Sequence, residues 1–390
     1  MIFKPLIRSS IHVGTPLLMD IFDINGRLLL NEKAVIHTEL QLSKLLDHGA
    51  YIDANIADDI GAAILLSHLG KTVKAVGLLQ EWEKIVWLLK SLLTHPERNR
   101  AFLAQLAIVA ERIVILHEKN EDFSIYRVVR HENYFATSYS YTHAVHTAVV
   151  CILLSRHLDW PAERTLSLVQ ASLTMNMTII ELQGTIAGQK EPVDKRQRAE
   201  ISGHPEKAVN LLKALGVTDS DWLLAVEQHH ENSDGTGYPT ACKEVSDIAN
   251  LLRIADMFTA KISPNSSRAV LSPRESISRI FLEDKGGAMS MALIKTMGIY
   301  PPGDYVRMAS GELGVVVERT AHVKAPIVAA ITDTAGRAIS SLSRRDTLQA
   351  KFAITSNVSD KSVLQRLPPE RLFGFSIVNH LDLPPIEIQM

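Results

Sequence analysis

Cysteine is nearly absent: the 390 residues contain two, Cys151 and Cys242. Two thiols cannot make a disulfide framework, so the composition points to a reducing compartment. No stretch approaches 18 uncharged apolar residues, so no membrane span is expected. No excess of either charge exists, because Lys and Arg total 41 against 43 Asp and Glu, a formal charge of -2. That balance argues against a binder of nucleic-acid polymers working by bulk charge. A signal peptide is not expected either. Lys4 and Arg8 come early, but the segment from Ile11 to Ile24 is interrupted by His12, Asp20 and Asp23. A cytoplasmic protein fits these absences. What is abundant is apolar surface, with 46% hydrophobic and 22% charged residues. That mixture excludes a wholly disordered or collagen-like chain and supplies a sizeable core.

The chain reads as four stretches. Residues 1 to 57 look like a small α+β module. Leu17–Phe22 and Arg27–Leu30 suit strands, with the Asn25-Gly26 hairpin signal between them. Thr38 can cap a short helix whose apolar face is Leu40, Leu42, Leu45 and Leu46, with Gly49 at its stop. Residues 58 to 130 are helical. Ile60, Ile64, Leu65 and Leu69 keep helical spacing, as do Trp82, Ile85, Leu88 and Leu89. Residues 131 to 300 form a further helical domain that holds nearly all the polar chemistry. There Pro161 and Glu163 open one helix, and His204-Pro205-Glu206 is expected to open another that ends at Gly216. From 301 the pattern turns to strands, at Tyr305–Met308, Gly314–Glu318 and Ile327–Thr332. Residues 357–390, with two Pro-Pro pairs, are expected to be a docked tail.

The most unusual string is His229-His230-Glu231-Asn232-Ser233-Asp234-Gly235-Thr236-Gly237-Tyr238-Pro239. It follows a helical run, so the two histidines stand at a helix C-terminus. Gly235, Gly237 and Pro239 then force a tight loop. Adjacent histidines do not share a helix face, but at a fraying end both can turn toward one point. Neutral imidazole is a common metal ligand. His143 and His146 share a helix face at i,i+3, His204 is placed at a helix start, and Asp256 lies in the apolar run Ile254–Phe258. A carboxylate on an apolar face is costly unless paired or metal-bound. Several histidines and an aspartate on four helices suggest a metal or phosphate site. Cys151, within Val149–Leu153, reads as core, as do Trp160 and Trp222 at helix starts. Cys242 reads as a stray thiol and His146 as an outer or surface residue.

The string from His229 to Pro239 resembles the signature of the HD-GYP family, bacterial signalling phosphodiesterases within the HD-domain metal-dependent phosphohydrolases. The resemblance extends over about 134–335. It takes in Tyr141-Thr142-His143, His204, Arg253–Phe258 and Tyr300-Pro301-Pro302-Gly303. It implies a mainly α fold, an HD-type helical bundle, flanked here by the mixed N-terminal module and the β-rich C-terminal piece. It implies iron- or manganese-type ions and cyclic di-GMP as substrate. His143, His204, His229, His230 and Asp256 match the family's metal ligands. Asp234, Gly235, Gly237, Tyr238 and Pro239 match the loop implicated in partner contacts, and Arg268 matches one of the arginines after the late aspartate.

The departure from the family pattern is as informative. Where the family carries its His-Asp pair and a following lysine, this chain has Met175, Asn176 and Ile179. Tyr139 stands where an acidic residue precedes the first histidine, and Asn265 replaces another arginine. Two bridged divalent cations need anionic ligands to offset their charge. Asn176 is neutral, and the Met175 thioether is a poor ligand for hard divalent iron or manganese. The expectation is therefore at most one divalent ion, Fe or Mn, and no secure catalytic residue. The reading put first is a degenerate member that binds cyclic di-GMP or a diguanylate cyclase (GGDEF) protein. Second is a working phosphodiesterase with an altered site. Third is a non-catalytic scaffold resembling HDOD domains. A homo-oligomer is compatible with all three.

Overall fold

In a computed structural model, the described residues are 3–5, 17, 20–23, 27–31, 34–47, 50–53, 78–130, 138–264, 270–358 and 369–374. The Asn25-Gly26 turn, Gly49, the Ile60–Leu69 stripe, Asn265, Arg268 and most of the expected tail lie outside them. The chain divides into two compact units, one centred on Met1–Lys74 and the other on Ala75–Asp382.

The first unit has strands β1 (Phe3–Pro5), β2 (Ile21–Phe22), β3 (Leu28–Leu30) and β4 (Tyr51–Asp53), with helix α1 (Glu39–Asp47) between β3 and β4. Its antiparallel sheet runs β1-β4-β2-β3, with Ile21 opposite Leu30 and Phe22 opposite both Leu28 and Tyr51. Thr38 does cap α1, its hydroxyl accepting from the Gln41 N–H at 3.2 Å. Leu42 from α1 joins Leu17, Ile21, Ile36 and Ala50 in a small core.

The second unit is the helical bundle expected from the sequence. Helices α2 (Leu78–Thr94), α3 (Phe102–Lys119) and α4 (Glu121–Arg130) precede α5 (Tyr139–His157). Then come α6 (Ala162–Thr174), α7 (Ile180–Gly188), α8 (Lys195–Ala214), α9 (Ser220–Gln228), α10 (Asp247–Ile262), α11 (Pro273–Glu283) and α12 (Ala288–Met297). Helix α5 is buried nearly all round, and α6, α7, α10 and α12 pack on it. A helix buried on nearly every side belongs at the centre of a bundle, and its polar residues then need partners within it. Cys151 is buried in it, as expected, and so is His146, which leaves of its two expected placements the one behind the ligands and not the surface one. Trp222 is buried, its indole N–H donating to Thr174 Oγ1 at 2.9 Å. Trp160 is only half-buried beneath Arg164.

One helix start is corrected. His204 does not open a helix; α8 begins nine residues earlier, at Lys195, and runs through Pro205. Asp194 and Gln197 form a reciprocal capping box, with Asp194 Oδ1 accepting from the Gln197 N–H at 2.7 Å and Gln197 Oε1 accepting from the Asp194 N–H at 3.1 Å. Proline inside a helix removes one donor, here the one aimed at the Ile201 carbonyl. That carbonyl accepts instead from His204 Nδ1 at 2.6 Å, so the interior proline leaves no orphan acceptor.

Strands β5 (Tyr305–Met308), β6 (Leu313–Glu318), β7 (Ile327–Thr332), β8 (Ala338–Asp346) and β9 (Ile354–Asn357) follow. They form an antiparallel sheet ordered β8-β7-β6-β5-β9, with a 3-10 turn, Ala350–Phe352, before the last strand. Val306, Met308, Val316, Val328 and Ala330 fill its core. The first three strands match the sequence expectation. β8 and β9 were not foreseen, because Ser340-Ser341 and Ser343-Arg344-Arg345 carry no alternating apolar signal. From the tail, α13 (Pro369–Phe373) sets Phe373 edge-on to Phe123 and Tyr126 of α4, at 5.2 and 5.1 Å between centroids. Among the described residues no helix is long and apolar enough to cross a membrane.

Candidate metal and ligand site

The polar residues singled out in the sequence meet where α5, α8, α9 and α10 converge. His229 is the C-cap of α9, and His230 follows it into a turn. Leaving the helix lets both neighbouring imidazoles face His204 on α8. Ring centroids are 4.0 Å apart for His229 and His230, and 5.1 Å from each of these to His204.

The hydrogen bonds set the tautomers. A carbonyl oxygen only accepts, so His204 Nδ1 must donate to Ile201, and His229 Nδ1 must donate to the Val226 carbonyl at 2.7 Å. Burial, with the neighbouring imidazole, lowers the His204 pKa to about 3, and His229 and His230 are also held below the ordinary imidazole value by burial. All three rings are therefore neutral at pH 7. With their Nδ1 protons committed to carbonyls, His204 and His229 turn bare Nε2 lone pairs toward each other at 3.1 Å. Two facing lone pairs repel unless a cation lies within reach of both. Second ring nitrogens tied to carbonyls are the usual support of metal-binding histidines. Among the described residues, one ligand atom each from His204, His229 and His230 falls within 4.8 Å of the others. The donor set fits a single divalent ion.

The other two expected ligands are placed close by but are engaged with each other. His143 Nε2 on α5 bonds Asp256 Oδ1 on α10 at 2.7 Å. Burial pushes the Asp256 carboxyl up, but the His143 hydrogen bond and the surrounding imidazoles outweigh it and hold the group well below the usual carboxylate range. Arg253, three residues before Asp256 on α10, bonds Asp284 instead, at 3.3 Å. Helices α5 and α10 are further locked by a buried bond of 2.9 Å between Thr147 and Thr259.

A cavity of about 200 Å³ opens over this cluster, lined by His143, Asn176, His204, His230, Tyr238 and Asp256. Asn176 thus lies in the cavity wall, in the turn after α6. Met175, the C-cap of α6, is fully buried, and Ile179, the N-cap of α7, is also buried.

The glycine-rich loop is split between two environments. Asp234 and Thr236 are exposed, and Asp234 Oδ1 closes a local turn on the Thr236 N–H at 3.0 Å. Gly235 sits at φ +79°, in the left-handed region glycine favours. At Gly237 a Cβ would fall 2.4 Å from Glu231 Cα and 2.6 Å from the His230 carbonyl, so only glycine fits. That close pass turns Tyr238 back onto the histidines, and its ring stacks on His230 at 4.6 Å. Pro239 is half-buried beside it. The sequence placed Tyr238 in a partner loop and did not foresee this inward position. It also missed Glu231, which is 1% exposed and accepts from both the N–H and the hydroxyl of Thr240, at 2.7 and 2.8 Å. The signal for Glu231 was present: a carboxylate directly after two buried histidines must find donors nearby. Cys242 is half-buried beyond this loop, within weak hydrogen-bond range of the Glu244 carbonyl.

Comparison with known proteins agrees with this geometry. The HD domain family matches residues 129–285, the stretch that contains every one of these side chains. A curated relative, the cyclic di-GMP phosphodiesterase PA4108 of Pseudomonas aeruginosa, is 27% identical over 186 residues. That stretch is an HD domain. The match covers 46% of this chain and 45% of the relative, so the chain spans about half the length of that curated protein. A solved structure, Bd1817, an HDG"Y"P protein from Bdellovibrio bacteriovorus, is 14% identical, with a TM-score of 0.49, over 75% of this chain and 98% of that one.

Proposed function

We propose that this chain is an HD-GYP protein that binds cyclic di-GMP, with a phosphodiester over the His-lined cavity, without hydrolysing it. One observation carries the reading. The cavity wall has neutral Asn176 where the family resemblance calls for a metal-bridging aspartate, and the nearby carboxylate of Asp256 is bonded to His143. Three neutral imidazoles can hold one divalent ion of the iron or manganese class, but they contribute no charge to offset a second. A single ion there supplies positive charge that favours a phosphodiester.

The chain's own residues do the rest. The Ile201 and Val226 carbonyls keep the His204 and His229 Nε2 atoms pointed inward. The Tyr238 ring stacks on His230 and holds its orientation. Asn176 offers an amide that can donate to a phosphate oxygen, a role the aspartate it replaces cannot fill. The buried Ile179 side chain provides no cation for developing phosphate charge. The exposed Asp234–Thr236 tip is free of these duties and is the part of the loop available to a diguanylate cyclase.

The converging Nε2 atoms also favour a second reading, a working phosphodiesterase with an altered metal site. Metal content and ligand affinity separate the two. Binding without hydrolysis predicts no more than one equivalent of iron or manganese after anaerobic loading. It also predicts calorimetric binding of cyclic di-GMP that weakens at least tenfold in His230→Ala. Two or more equivalents would favour the phosphodiesterase, and no binding with supplied metal would leave the HDOD-like scaffold.

A further inference from the structure

The His-lined cavity is too small for a whole cyclic dinucleotide. Sites that enclose ligands of that size run from about 300 to 1,000 Å³, whereas this one is about 200 Å³. A second hollow of about 450 Å³ adjoins it, and the two share Ile179 and Leu182 in their walls. Its other lining includes Tyr141 from α5, Thr178 and Glu181 at the start of α7, and Arg196 and Glu200 on the first turns of α8.

We infer that this second hollow is a guanine-reading subsite, which holds one base of the nucleotide while the phosphodiester lies over the histidines. The inference rests on the nucleotide-binding reading above. Arg196 and Glu200 stand one helical turn apart, with Arg196 Nε 3.7 Å from Glu200 Oε1. Together they present a donor beside an acceptor. Guanine offers the complement: its O6 accepts, and the adjacent N1–H and N2–H both donate. A carboxylate can take both donors at once, and a guanidinium can serve O6. Adenine places a donor at N6 and an acceptor at N1 and has no amino group at C2, so it cannot give one carboxylate two hydrogen bonds. The Arg196 and Glu200 side chains are 85% and 42% exposed, so they are open to a ligand and are not part of the core. Tyr141 adds an aromatic wall, and the basic side chain of Lys195 begins the same helix.

The test is a pair of dissociation constants, for cyclic di-GMP and cyclic di-AMP, measured on the full chain with manganese present. Wild type is expected to prefer the guanine ligand by ~30-fold, and Glu200→Gln and Arg196→Ala each to reduce that preference to within ~3-fold, the loss of about one base-reading contact. A merely structural role would weaken both nucleotides equally and leave the ratio unchanged, and that result would overturn the subsite. Equal binding of the two nucleotides by wild type would overturn it while leaving the nucleotide-binding reading intact. Binding of neither would overturn both.

Discussion

At the scale of single residues, the site is governed by which atoms already have partners. His204 and His229 spend their Nδ1 protons on backbone carbonyls, so each keeps one outward lone pair. Asp256 is occupied by His143. The shortage is of negative charge, and it is concentrated at Asn176. Replacing Met175 and Asn176 together, as Met175→His with Asn176→Asp, should raise bound manganese from at most one equivalent to about two by elemental analysis. An unchanged stoichiometry would show that charge at this turn does not limit metal loading.

A second residue, remote from the cavity, makes a pH prediction. His117 on α3 is 1% exposed, and neither ring nitrogen has a hydrogen-bond partner among the described residues. Burial lowers its pKa to about 4, against attraction from Glu121 and with help from Arg156 and Arg319. Because the folded value lies below the unfolded one, the unfolded chain takes up a proton first as pH falls. The stability is fully present above pH 6.5 and is lost progressively down to about pH 4, by about 3 kcal/mol in all. In His117→Leu, denaturant midpoints measured across that window should fall less steeply than in wild type.

Among the elements, α8 separates what the sequence disclosed from what it hid. Its end at Gly216 was legible, because a glycine at positive φ, here +95°, is a common helix stop. Its start was misplaced because Pro205 looks like a first-turn proline. The capping box nine residues earlier, Asp194-Lys195-Arg196-Gln197, is an ordinary start signal and outweighs it. The tertiary fact that made an interior proline tolerable, the His204 side chain bonded to Ile201, is invisible in a one-dimensional pattern. If the box sets this start, Asp194→Ala should cost about 1 kcal/mol in chemical denaturation, with helix α8 fraying first in hydrogen exchange. Helices α6, α9 and α10 were legible from local signals: Pro161 and Glu163 at the start of α6, the helical run Asp221–Glu227 in α9 and the apolar run Ile254–Phe258 in α10. The pairing of His143 with Asp256 was not, since nothing local in the sequence joins residues so far apart along the chain.

On the scale of the whole molecule, Arg319 fastens the β-rich piece to the helical bundle, alongside Arg130, which lies 4.4 Å from the Tyr305 ring centre. Arg319, just beyond β6, bonds Asp122 Oδ1 at 2.6 Å, Glu121 Oε1 at 2.7 Å and the Thr296 carbonyl at 2.6 Å. It thereby ties the sheet to α4 and α12. Arg319→Ala leaves two carboxylates and a carbonyl without their shared donor and should destabilise the fold by about 3 kcal/mol, read as a lower denaturation midpoint. The mainly helical architecture was legible from apolar spacing and helix-start signals, and the HD domain from the string His229–Pro239 together with His143, His204 and Asp256. The loop's division into an exposed tip and an inward Tyr238 was not, because it depends on Gly237 passing against the His230 backbone.

The central claim, binding without hydrolysis, is tested most directly by incubating the full chain, loaded anaerobically with iron or manganese in excess, with cyclic di-GMP. The nucleotides are then separated by chromatography, with His230→Ala run alongside. Intact cyclic di-GMP is expected from both proteins. Linear dinucleotide or GMP formed by wild type and absent with His230→Ala would contradict it.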